Sequence, residues 1–168
     1  MKKLLKLIVF VFVSFFTFST CIFGLSLNSE KYILYNLDTD EVLLKKDSDV
    51  KASIASLTKI MSVIVAIENI DDYDKVITIT SDMLNGIAYD VAVTGFKVGD
   101  KVTVDDLLYS AIVASGADSV NALAYVVSGN TSKFVKLMND KSKELNMKNT
   151  NFTNVVGLYD SKHYSTCE

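Results

Sequence analysis

Ser56 and Lys59 stand three residues apart in Ala55-Ser56-Leu57-Thr58-Lys59-Ile60-Met61, at the point where the sequence turns helical. Residues at i and i+3 of a helix share a face, so the hydroxyl and the amine fall within hydrogen-bonding reach. A serine hydroxyl is a weak nucleophile until a base takes its proton, and a lysine serves as that base only when burial or positive dipoles lower its pKa. The apolar residues after Ile60 offer burial. A helix N-terminus adds a positive dipole and a backbone N–H suited to an oxyanion hole. The pair therefore suits acyl transfer through a serine ester. The same tetrapeptide also describes an N-cap serine beside a solvated lysine, so its meaning depends on what surrounds it.

The elements that must position these residues are legible in outline. Lys31–Leu37 and Glu41–Lys45 are short β-prone runs separated by Asp38-Thr39-Asp40, which predicts a hairpin. From Ser53 to about Ile70 a long segment, apolar on most faces, predicts a buried helix. Short strands are expected at Lys75–Ile79, at Gly95–Val98 and, after a Gly99-Asp100 turn, at Lys101–Thr103. A helix over Val104–Val113 breaks at Ser115-Gly116, and another runs from Asp118 to Val127 before Ser128-Gly129-Asn130. A lysine-rich amphipathic helix is expected over Ser132–Leu145, with Phe134, Leu137, Met138 and Leu145 toward the core.

The chain has 168 residues, 49% apolar and 22% charged, with no proline, enough for a leader and one folded domain. Twenty acidic residues against 17 Lys and Arg give a net charge of -3, scattered without a basic stripe, which argues against a nucleic-acid partner. Lys2, Lys3 and Lys6 precede the apolar run Leu7–Phe18, so residues 1–26 read as a secretory signal peptide and 27–168 as the domain. The run is shorter than the ~20 residues of a membrane-spanning helix. Cys21 follows Phe18-Ser19-Thr20, a poor lipidation context, and Cys167 is the only other cysteine, so no internal disulfide is expected. One histidine and two distant cysteines do not compose a metal ligand set, and no cofactor motif is present. His163, in a polar loop, is expected to be structural; an S-x-x-K pair needs no histidine.

The nucleophile string, preceded by a hairpin, resembles that of the D-alanyl-D-alanine carboxypeptidases, the low-molecular-mass penicillin-binding proteins. Other segments keep that family's order. Gly95–Tyr109 is similar to the approach to its second motif. Ser115-Gly116-Ala117-Asp118 with Asn121-Ala122-Leu123-Ala124 stands where that motif, usually Ser-x-Asn, belongs. Asn151–Leu158 and His163–Thr166 resemble the segment that follows. The resemblance covers nearly everything from Ser29 onward and implies a mixed α/β, β-lactamase/transpeptidase-like fold, a helical cluster on an antiparallel sheet.

It implies an exported serine peptidase of the cell envelope that removes the terminal D-alanine from the peptidoglycan pentapeptide through an acyl-enzyme, with β-lactam antibiotics acylating the same serine. Ser56 would be the nucleophile, Lys59 its base, and Ser115 a proton relay to the leaving amine. Two departures stand out. Ala117 replaces the motif's asparagine and offers no hydrogen bond, leaving Asp118 or Asn121 to supply a polar group. The third motif, Lys-Thr-Gly or Lys-Ser-Gly on a late strand, occurs nowhere, so the substrate-binding residues are unassigned. The chain is expected to be a fragment of a longer reading frame or a truncated, inactive relative lacking C-terminal strands. Membrane contact would then come only from the leader or a missing C-terminal part. A β-lactamase is the rival on the same fold, although no added carboxylate base for deacylation stands out.

Overall fold

The computed structural model describes residues 27–168, and the expected leader over 1–26, with Cys21, lies outside the described residues. Residues Lys31–Glu168 form one compact unit. Strands β1 (Tyr32–Asn36) and β2 (Glu41–Lys46) make the expected antiparallel hairpin. Its turn is set by the Asn36 carboxamide oxygen, which accepts from the N–H groups of Asp38 and Thr39 at 2.9 and 3.2 Å. Leu34, Val42 and Leu43 stay exposed on this ribbon.

The helix expected from Ser53 starts later. Ala55 takes a left-handed φ of 44°, which interrupts any α-helix through it, and after a single 3-10 turn over Ala55–Leu57 α1 runs over Thr58–Asn69. Nor is α1 buried all round. Ile60 and Ile67 face outward, whereas Thr58, Lys59 and Ser62 are buried with Met61, Val65 and Ala66. The helix turns its polar residues inward because they have partners there.

β3 (Val76–Thr78) pairs antiparallel with β4 (Lys101–Thr103) in a second small sheet. A single-turn helix, α2 (Ser81–Leu84), was not expected; the Thr80 hydroxyl caps it by accepting from Met83 N–H at 3.4 Å. The strand expected at Gly95–Val98 does not form. The N–H groups of Thr94, Gly95 and Phe96 donate instead to the carboxylate of Asp118, and Gly95 adopts a φ of 99°.

α3 (Val104–Val113) opens with a capping box in which Thr103 and Asp106 bond each other's backbone N–H at 2.9 and 3.0 Å. α4 (Ala117–Ser128) ends at Gly129 in the left-handed conformation, and α5 (Thr131–Glu144) is capped by Asn130. Leu145, expected in the core, lies past the end of α5 and is half exposed; Phe134 and Met138 are fully buried. The central helix is α4. Eight consecutive residues, Ala117–Ala124, are buried between α1, α2, α3 and α5.

Residues 151–165 lie against this cluster by polar clasps as well as packing. Asn139 on α5 mimics a strand edge, donating to Phe152 C=O at 2.8 Å and accepting from its N–H at 2.9 Å. Ser62 donates to Val155 C=O at 2.7 Å. Short bridges pair Asn151 with Tyr164 and Ala52 with Ser165. Phe152 and Val155 complete the core.

Candidate active site

Three of the residues singled out in the sequence meet at one atom. Lys59 Nζ donates to Ser56 Oγ at 3.1 Å and to Ser115 Oγ at 3.1 Å, joining the start of α1 to the break between α3 and α4. Lys59 is only 3% exposed while Ser56 is open to solvent. Burial lowers the Lys59 pKa from its ordinary value, favouring the neutral amine that can accept a proton. The ion pairs among the described residues lie elsewhere. A buried base, an accessible hydroxyl and a second hydroxyl on the same amine form the arrangement needed to pass a proton between an attacking and a leaving group.

Backbone strain presents both serines. Ala55 (φ 44°) and Ser115 (φ 52°) occupy the left-handed region, uncommon for residues with a Cβ. The first turn is held from outside by Gly157, where any Cβ would overlap the carbonyl of Ala55. The loop carrying Gly157 is shaped by Asn154, whose side-chain oxygen accepts from the N–H of Val156, Gly157 and Leu158 at 3.2, 2.7 and 3.0 Å. The second turn rests on Gly116, which a Cβ would drive into Thr94 and Ser119.

His163, expected to be structural, is buried at 3% exposure. Its Nδ1 accepts from Thr153 N–H at 3.1 Å, leaving the proton on Nε2, which contacts Thr58 Oγ1 at 2.7 Å. Burial lowers its pKa, with the charge of Asp160 partly opposing. It braces the first residue of α1 and is hydrogen-bonded to Thr58, not to Ser56.

The two residues left to replace the motif's asparagine separate. Burial pushes the Asp118 carboxyl up, but bonds from the N–H groups of Thr94, Gly95, Phe96 and Ser119 outweigh it, and the group is held below its ordinary value. Its lone pairs serve the loop before the motif. Asn121, 8% exposed, lies one turn beyond Ala117 on α4, and both line a cavity of about 210 Å³. That cavity is not lined by Ser56, Lys59 or Ser115.

Asn139, Asn154 and Gly157 are structural residues that sequence reasoning missed, and Asp118, named there as a polar group for the site, instead holds the loop over 94–96. A glycine in the resembling Asn151–Leu158 segment was the one available signal. The family model described as D-alanyl-D-alanine carboxypeptidase matches residues 19–168. The chain belongs to this carboxypeptidase family.

It is 36% identical over 138 residues to the D-alanyl-D-alanine carboxypeptidase DacF of Bacillus subtilis, an alignment covering 80% of this chain and 35% of DacF. The crystal structure of the carboxypeptidase DacD from Francisella tularensis superposes with a TM-score of 0.76 at 34% identity, covering 84% of this chain and 35% of that one. Penicillin-binding protein 5 from Haemophilus influenzae gives 0.78 at 30% identity, covering 84% and 42%. The mixed α/β transpeptidase-like fold expected from the sequence is thus present, with the helical cluster beside two small antiparallel sheets. The chain spans about a third of the length of DacF. Among the described residues, no helix is long and apolar enough to cross a membrane.

Proposed function

We propose that the chain carries the acylating centre of an extracytoplasmic serine D-alanyl-D-alanine carboxypeptidase acting on peptidoglycan stem peptides. Ser56 Oγ attacks the carbonyl between the two D-alanines while its proton passes to Lys59 Nζ. The C–N bond then breaks, and the leaving D-alanine amine takes a proton from Lys59 through Ser115. Water, deprotonated by the neutral Lys59 Nζ, adds to the ester carbonyl, and the C–O bond to Ser56 breaks as Oγ takes that proton back. A β-lactam follows the first half of this course, its ring amide opening onto Ser56.

The observation carrying this reading is the bridging position of Lys59, 3.1 Å from each serine hydroxyl and buried enough for its pKa to fall. Its test is incubation of the full chain with a fluorescent penicillin, read by gel fluorescence and intact mass. One adduct is expected, lost in Ser56→Ala. Ala117 favours a second reading, a non-catalytic relative that only binds cell-wall peptides. An unlabelled but folded chain would support that reading and overturn the first.

A further inference from the structure

The cavity beside the catalytic cluster has an unusual lining. Ala117, Asn121 and Tyr125, spaced four residues apart on one face of α4, form one wall; Ile87, Val135 and Val156 contribute to the others. No acidic, basic or histidine side chain lines it. Among the described residues, the Asn121 carboxamide makes no hydrogen bond to the protein, although the residue is more than nine-tenths buried. Asn121 lines the cavity, and since no sealed polar side-chain atom among the described residues lacks a partner, its carboxamide is open to whatever fills that space. A buried amide kept without a protein partner calls for one from outside. The carboxamide presents both a C=O acceptor and N–H donors.

A volume of about 210 Å³ holds roughly seven waters, or one small amide. Its walls continue into both halves of the catalytic cluster. Ala117 follows Ser115-Gly116, and the loop holding Val156 carries the Gly157 that abuts Ala55 beside Ser56. We infer that this cavity is a subsite for an uncharged peptide amide with a small apolar substituent, with Asn121 its polar contact. As a substrate subsite it rests on Ser56 being the nucleophile. Asn121 is then a specificity residue, favouring a neutral amide because no cation in the cavity answers a carboxylate.

The test is an NMR titration of the isotope-labelled full chain with N-acetyl-D-alanine N-methylamide, and in parallel with N-acetyl-D-alanine, whose second amide is a carboxylate. The methylamide is expected to shift the side-chain N–H₂ of Asn121 and the backbone resonances of Ala88 and Val156. The carboxylate should bind about fivefold more weakly or worse, and Asn121→Leu should weaken the methylamide by a similar factor, the scale of one hydrogen bond. If Asn121→Leu loses its dispersed spectrum, Ala88→Trp, which crowds the cavity from the loop side, must abolish binding instead. Unmoved cavity resonances, equal binding of both probes, or undiminished binding by a folded variant would overturn the proposal. Penicillin labelling separates its fate from that of the nucleophile: amide binding without labelling sinks the reading of Ser56 alone, and labelling without amide binding sinks the subsite alone.

Discussion

Gly157 sits against the carbonyl oxygen of Ala55 with no space for a methyl group between them, at a φ of 91°. Gly157→Ala must therefore move the turn that presents Ser56 or strain its own backbone. We expect a loss of about 2 kcal/mol in urea unfolding and slower penicillin acylation in what remains folded. Unchanged stability and acylation would show that the contact does not shape the turn.

Lys59 links reactivity to pH. With its pKa lowered by burial, the acylation rate should rise with pH through an apparent value below 10.5. Lys59→Arg, permanently protonated, should lose at least about 100-fold. Stability follows the same shift: folding carries no charging penalty above the unfolded value, and the penalty grows as pH falls from there to the folded value. Lys59→Met should accordingly be the more stable protein at neutral pH, with the gap closing as pH rises toward 10.5. Chemical unfolding at several pH values measures that gap.

His163 makes the opposite end of the pH scale informative. Its folded pKa lies below 6.5, so the unfolded chain takes up the proton first, and stability declines as pH falls through 6.5 until the folded value is reached. The melting temperature should drop over that window in the native chain. In His163→Gln, which keeps a donor for Thr58 but does not titrate there, the curve should be flatter. Parallel curves would remove His163 as the cause.

Asp118→Ala would strand the N–H groups of Thr94, Gly95, Phe96 and Ser119. A cost of about 1–3 kcal/mol is expected, the scale of one buried donor left unpaired, since Ser119 is buried whereas water can reach the exposed Thr94 and Gly95. Hydrogen exchange should accelerate first at residues 94–96. Uniform acceleration across the domain would mean that the carboxylate holds the whole fold and not that loop.

The Ser56–Lys59 contact was legible because it is local: a three-residue spacing at a helix start needs no tertiary information to put the two side by side. Ser115 came from the order of resembling segments, not from its own chemistry. The helices over 104–113, 118–127 and 132–145 were readable from caps, glycines and periodicity. What failed depended on distant partners. Gly95–Val98 has strand-like composition, yet a carboxylate more than twenty positions away captures its backbone. The outward-facing Ile60 and Ile67 and the inward-facing Ser62 invert the apolar rule because Val155 supplies the hydroxyl's acceptor. His163 could be read only as structural, because nothing local announces its contact with Thr58.

That contact spans 105 positions of sequence, and Ser62 reaches 93 positions to Val155. The turn bearing Ser56 leaves a ribosome well before its braces, Gly157 and His163. Local contacts form cheaply, whereas those closing a long loop wait for it to be made. A nascent chain thus carries the Ser56–Lys59 sequence well before the turn around it is shaped. Synthesis itself delays the shaping of that turn, and a chain stopped short of His163 would carry the serine without the brace that holds the start of its helix.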